Sequence, residues 1–281
     1  MSIFKLTTKL RALLGLPVNI PVPSISTSAT KGSTELQLAA LLKLSVHSAS
    51  LNGAKDFLSV EDSVRHCVEQ TEKAQSYCSY ILRKDRTQED LKRRGYVFAE
   101  WRLDFVCPDK YHIMQGVWLE DLNDVLFDEW ITLGKEHYTC QLVWLRADDG
   151  LDYRPHRILL VEKYLEILSR ADLTSARMYH YRNVSYLLVE YRVTELPTVF
   201  SEIGGPTKGV FNISIWVNAS TALIAKAVVA SEDQREFEQV FAAYNEEVVV
   251  KQPHIGMKPT PGQPGSYTVT DNRRFPSPFH E

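Results

Sequence analysis

The sequence predicts an α+β fold built on an antiparallel sheet with one apolar and one polar face. Three observations predict it. Residues 94–144 alternate: Val97, Ala99, Trp101, Leu103 and Phe105 fall on one side of an extended chain, and Tyr96, Glu100, Arg102 and Asp104 on the other. That period of two is what a sheet with one buried and one wet side requires. A second alternating block lies in residues 176–230, and a stretch of helical period separates the two. Two further helical segments precede the first strand. A site, on this reading, lies against the apolar face.

Composition narrows the classes. At 281 residues, 44% hydrophobic and 24% charged, the chain matches an ordinary globular protein able to bury a core. A formal net charge of -3, with Lys and Arg scattered, leaves no electrostatic footprint for nucleic acid. Cys67, Cys78, Cys107 and Cys140 show no CxxC spacing, so zinc-ribbon and thioredoxin readings lack their motif. One or two disulfides and buried free thiols both remain open.

Residues 1–34 contain Lys5, Lys9, Arg11 and Lys31 but no acid. Ile3, Leu6, Leu10 and Leu13 recur at helical spacing, so residues 2–16 read as a short basic amphipathic helix. Three roles compete for it: a degenerate export signal ending near Thr27-Ser28-Ala29, peripheral contact with a membrane surface, and a frayed terminal helix. Pro17, Pro21 and Pro23 interrupt the apolar run a signal needs. No stretch approaches the ~20 apolar residues of a membrane span. Residues 17–31 read as a Pro/Ser/Thr linker.

Ser33-Thr34-Glu35 opens a helix carrying Leu36, Leu38, Leu41, Leu42 and Val46, and Asn52-Gly53 ends that segment. A second helix starts where Ser59 can cap, with Asp62 three residues on, and carries Val60, Val64, Cys67 and Val68. Residues 76–84 form the first strand. After the central strand come Tyr111 to Trp118, an acidic turn with Asn123, Asp124 and Asp128, and a strand over residues 130–141. Asp148-Asp149-Gly150 breaks this meander. From Pro155 the pattern is helical, with Ile158, Leu159, Val161, Tyr164, Leu165 and Leu168 on one side. Strands return at residues 176–182 and 186–194, then at Phe211 to Val217, with a turn at Asn218-Ala219-Ser220-Thr221 leading back through residues 223–230. Phe237, Val240, Phe241, Tyr244 and Val248 close the domain. The organisation is therefore a basic helix and linker in residues 1–32, a folded domain in 33–253, and a proline-rich tail in 254–281.

Catalytic signals are weak. His137 and Cys140 fall on opposite faces of an ideal strand, which makes a poor metal pair. Ser45-Val46-His47 and Tyr153-Arg154-Pro155-His156 lack a nucleophile elbow. Ile203-Gly204-Gly205-Pro206 is not followed by a helix, so it is no phosphate loop. Glu100, Asp104 and Glu190 read as solvated. The sequence predicts no enzyme, no metal site and no cofactor.

Four stretches carry a resemblance. They are Trp101-Arg102-Leu103-Asp104-Phe105-Val106-Cys107-Pro108-Asp109-Lys110-Tyr111; Trp130-Ile131-Thr132-Leu133-Gly134-Lys135-Glu136-His137-Tyr138 with Trp144; Ile213 to Val217 with Lys226-Ala227; and Phe237 to Asn245 with Val248-Val249-Val250 and Pro253. Together they resemble the LolA/LolB-like lipoprotein carrier superfamily, with its LppX/LprG lipid carriers and RseB-type sigma regulators. The resemblance spans residues 60–253. It implies a curved antiparallel sheet forming a half-open β-barrel, helices packed across its concave face, and an envelope or periplasmic location. Two departures stand out: residues 1–34 lack a clean export signal, which keeps a cytoplasmic location as the alternative, and the turn at residues 218–221 lacks glycine.

In such a fold Trp101, Leu103, Phe105, Leu187, Val189, Tyr191, Phe211, Ile213 and Ile215 would line the concave face. They would meet either a guest or each other. An acyl chain gains roughly 0.8 kcal/mol per buried methylene, so a lipid or other hydrophobic small molecule is the expected partner. An envelope protein docking on Trp118, Trp130 and the proline-rich tail is the alternative.

Overall fold

A computed structural model describes residues 29–51, 60–85, 96–119, 124–140, 144–146, 161–170, 173–197, 208–232 and 235–253. The expected helix in residues 2–16, the Gly/Pro loop at 203–206 and the tail in 254–281 lie outside the described residues. So do Ser59, Ile158 and Leu159.

Among the described residues three helices, α1 (Ala29–Leu42), α2 (Val60–Glu72) and α3 (Glu162–Arg170), accompany twelve strands. The strands are β1 (Ser50–Leu51), β2 (Ser76–Asp85), β3 (Tyr96–Val106), β4 (Lys110–Leu119), β5 (Asp124–Leu133), β6 (Glu136–Cys140) and β7 (Trp144–Arg146), followed by β8 (Leu173–Tyr181), β9 (Val184–Glu195), β10 (Lys208–Asn218), β11 (Ile224–Ser231) and β12 (Arg235–Ala242). All belong to one antiparallel sheet in the order β1-β8-β9-β10-β11-β12-β2-β3-β4-β5-β6-β7. The sheet is curved and open, with β1 and β7 at its edges. Each meander forms by local hairpins, and the pairing of β12 with β2, from Ala242↔Cys78 to Arg235↔Asp85, joins them.

Register carries side-chain alternation across the whole sheet. Tyr77 faces Phe105, Ile81 faces Trp101, Leu103 faces Ile113, and Ile213 lies between Tyr191 and Val229. These residues form one buried cluster under α2 and α3, joined by Cys67, Tyr164, Leu165 and Leu168. This is the inner face. On the outer face α1 packs Leu38, Leu41 and Leu42 against Tyr80, Leu82, Val240 and Met114. Leu44 follows with Tyr179, Leu188 and Trp216.

Several sequence expectations need correction. The first helix begins at Ala29, inside the expected linker, and ends at Leu42; Val46 lies beyond it, 45% exposed, and Leu36 lies within it on its open side, 74% exposed. Of the expected acidic turn, Asp124 and Asp128 are strand, pairing with Leu119 and Gln115, and Asn123 lies outside the described residues. Pairing with β4 outweighs the local turn preference of aspartate. Conversely, the strand expected over residues 130–141 is broken by a turn at Gly134, whose φ of +64 is left-handed and suits glycine.

Over β2–β5 and β11–β12 the outer face is not wet, whereas over β8–β10 it keeps exposed residues such as Arg177, Arg192 and Asn212. Glu100 is fully buried and Arg102 nearly so, and Asp104 keeps 17% of its side chain exposed. Besides α1, the chain after β12 covers this face. Asn245 N donates to Ser76 O at 2.9 Å and Ser76 Oγ to Glu246 O at 2.8 Å, while Val250 packs against Ile131, Tyr138 and Cys140. Residues 246–253 therefore pass from β2 to β5 and β6, across β3 and β4. Glu190 is half-buried and accepts a hydrogen bond from Ser175 Oγ.

Candidate functional site

The inner face gathers the residues that the sequence assigned to a ligand. Trp101, Leu103, Phe105, Leu187, Val189, Tyr191, Phe211, Ile213 and Ile215 all belong to its buried cluster. They meet one another and the undersides of α2 and α3, so most of the face is filled by the protein's own side chains. Helix α2 sits there because Val60, Val64, Cys67 and Val68 lie on one of its sides at spacings of three and four. Val161, Tyr164, Leu165 and Leu168 place α3 in the same way.

Between the two helices the packing opens into a cleft of about 430 Å³. Val60, Val64 and Val68 of α2 form one wall, Leu168 of α3 and Leu173 of β8 another, and Tyr191 also borders it. Glu61, Arg65 and Ser169 complete the lining. The Arg65 guanidinium is paired with Asp62 three residues before it. Tyr191 thus belongs to both the filled core and the cleft; the other residues assigned to the concave face lie outside the cleft's lining. The sequence showed the valine stripe but not the opening, because the lining comes from two segments a hundred or more residues apart.

Nucleophiles near the cleft are held inert. Cys67 is fully buried, its Sγ is 3.9 Å from Thr71 Oγ1, and burial pushes the thiol up to about 12. A thiol so far from ionisation is no nucleophile at neutral pH. Burial, with the Cys67 sulfur nearby, raises the Tyr191 phenol to about 12 as well. Under α3 lies a polar island: Lys163 Nζ donates to Gln239 Oε1, Tyr164 OH donates to the same oxygen at 3.1 Å, and Gln239 Nε2 donates to Ser79 Oγ at 2.7 Å. The Lys163 ammonium also stands 4.6 Å from the centre of the Tyr164 ring and 4.8 Å from that of Phe237. Burial drives this amine well below its ordinary range, with Glu162 opposing. The island anchors α3 to β12 and β2, since each polar atom in it faces another.

On the outer face, charges lie in pairs. His112 Nε2 is 2.5 Å from Glu129 Oε1 and its Nδ1 is 4.0 Å from Asp104 Oδ2. Arg102 is paired with Asp104 at 3.1 Å, and Lys226 with Glu238 at 2.6 Å. Lys226 Nζ also donates to Leu42 O at 3.1 Å and Leu44 O at 2.7 Å, holding the carbonyl end of α1. Glu100 accepts from Tyr80 OH, while its Oε1 is buried without a hydrogen bond among the described residues. Desolvation, opposed by the Tyr80 bond, raises this carboxyl to about 7.

Other sequence candidates do not converge. Register places His137 opposite Thr132 and Cys140 opposite Glu129, on opposite faces. Ser45 Oγ is engaged with Ser48 in a tight turn, and residues 153–156 lie outside the described residues. Among the described residues no group of three His, Cys, Asp or Glu side chains is placed to hold a metal ion. No described helix is long and apolar enough to cross a membrane. The four cysteines are free thiols, Cys107 exposed and the rest buried.

No family model matches the chain, and no curated protein matches it. Solved structures similar to it include LprF from Mycobacterium bovis, at 12% identity over 69% of this chain and 96% of that one, with a TM-score of 0.48. The Mycobacterium tuberculosis lipoprotein LppX is similar at 10% identity over 68% and 97%, with a TM-score of 0.44. A LolA superfamily protein from Nitrosomonas europaea is similar at 8% identity over 69% and 96%, with a TM-score of 0.28.

Proposed function

We propose that this protein binds a lipid, acylated or other hydrophobic ligand in the cleft between α2 and α3, and performs no chemistry on it. The observation that carries the proposal is the cleft itself. At about 430 Å³ it falls within the ~300–1,000 Å³ of small-molecule sites. Five of its nine lining residues are aliphatic, and Glu61 and Arg65 are the charged ones. Each methylene that leaves water there contributes roughly 0.8 kcal/mol, so a short acyl chain needs no charged contact to be retained. The thiol and phenol beside the cleft are held protonated, which favours a binding role over catalysis. Carriage between membranes of a bacterial envelope is part of this proposal and rests on the sequence resemblance.

The filled inner face supports a second reading, a protein-interaction or regulatory module with a closed core. Native mass spectrometry of the protein from its own host, followed by organic extraction, separates the two. A bound mass that extracts as lipid supports the binding reading. A bare polypeptide mass, under conditions in which a control carrier keeps its lipid, supports the module and sinks the carrier.

A further inference from the structure

We infer that the cleft takes a single-chain amphiphile whose polar end is uncharged or cationic, and that it discriminates against a carboxylate or phosphate head. The inference rests on the hydrophobic-ligand reading above and names the class of ligand within it. Size supplies the first half. A cleft of about 430 Å³ lies near the lower end of the ~300–1,000 Å³ of small-molecule sites. That is room for one chain rather than several.

Charge in the lining supplies the second half. The apolar wall of α2 is the stripe Val60, Val64 and Val68, and the cleft's charged lining, Glu61 and Arg65, lies one residue further along the same helix. These two side chains flank the stripe, so a chain laid against the valines lies beside both of them. Arg65 is the cation among them, and its guanidinium is already paired with Asp62. Glu61 is exposed, and with Arg65 neutralised by Asp62 it leaves one carboxylate in the cleft's charged lining among the described residues. The amino end of α2 offers an anion nothing more, because Glu61 and Asp62 already occupy its first turn and complement the helix dipole. Across the cleft α3 presents Ser169, whose hydroxyl donates to Leu165 O at 2.7 Å and keeps lone pairs free for a donor on the ligand. A hydroxyl or ammonium head finds acceptors here. An anionic head finds a like charge and a cation already engaged.

The test is competition on the delipidated full chain with the neutral dye N-phenyl-1-naphthylamine, displaced at pH 8 by three twelve-carbon probes: monolaurin, dodecylamine and laurate. The expected result is that monolaurin and dodecylamine displace the dye at concentrations about fivefold below laurate, the size of one exposed like-charge contact. Glu61→Lys should reverse the order of dodecylamine and laurate and leave monolaurin where it was. Glu61→Gln, the milder change, should close the gap between them. Val64→Trp, which fills the cleft from its α2 wall, should weaken all three alike. Laurate equal to or better than monolaurin in the unaltered protein overturns the inference and leaves the hydrophobic-ligand reading standing. An order unmoved by both Glu61 variants, or three affinities untouched by Val64→Trp, overturns it too, by placing the probes elsewhere. Failure of the dye and all three probes to bind defeats the underlying reading and the inference with it.

Discussion

Over β2–β5 and β11–β12 the two faces of the sheet are both buried, but by opposite chemistry. The inner face is an apolar seam of large side chains from β2–β4 and β8–β12 under α2 and α3. The outer face carries Glu100, Arg102, His112, Glu129, Lys226 and Glu238, each less than a tenth exposed. It is covered by α1 and by residues 246–253. On the inner face burial itself stabilises, whereas on the outer face each hidden charge costs desolvation that only its partner offsets. Alternation in a strand thus tells which residues share a face. It does not tell whether that face meets water.

The largest expected effects come from breaking either kind of burial. On the inner face Leu103→Ala removes a fully buried side chain and should destabilise by about 2–5 kcal/mol in urea denaturation, as large-to-small core changes do. On the outer face Glu238→Ala leaves the Lys226 ammonium beneath α1 without its carboxylate, and should cost about 3–5 kcal/mol. The double change Lys226→Met with Glu238→Leu removes both charges and should recover most of that loss in the same measurement. If the double variant is no better than the single one, the pair and its hold on α1 matter more than the desolvation argument allows.

A smaller effect depends on pH. Burial raises the Glu100 carboxyl from 4.5 to about 7, so the folded protein binds that proton more tightly than the unfolded chain. The resulting stability is fully present below about pH 4.5 and is lost as pH rises towards and through 7. A shift of this size corresponds to about 3 kcal/mol between pH 4 and pH 8. Glu100→Gln should flatten that part of the stability profile, and a variant that keeps the full slope would assign the titration to another group.

The smallest perturbation uses the thiols. Cys107 is exposed, Cys67 lies in the inner cluster, and Cys78 and Cys140 are buried on the outer face. Maleimide labelling of the native protein should modify Cys107 first with no loss of stability. In partial denaturant, the order in which Cys67, Cys78 and Cys140 become reactive reports which face opens first.

Much of the inner face is legible in the sequence. Trp101, Leu103, Phe105, Leu187, Val189, Tyr191, Phe211, Ile213 and Ile215 share one face by alternation alone, and the stripes of α2 and α3 show in their spacing. β12 is less legible. Its Phe237, Gln239 and Phe241 turn inward while Glu238, Val240 and Ala242 turn outward, and both sets are buried. A strand covered on both sides shows no polar alternation. The cleft leaves only half a signal, the valine stripe, because its other wall comes from α3, β8 and β9.

By itself the sequence determined the local units: hairpins whose strands follow one another, two amphipathic helices, and the partition of each strand into two sets of side chains. These follow from backbone geometry and spacing within a few residues. Only the tertiary structure decided that β12 would pair with β2 and join two meanders into one sheet, that α2 and α3 would take the inner face and α1 the outer, and that the charged side of β3 would be hidden. The β12–β2 pairing links Val240 to Tyr80, far apart in the chain. No local pattern encodes such a contact, because its closure entropy is repaid only when the whole sheet and both of its covers form together.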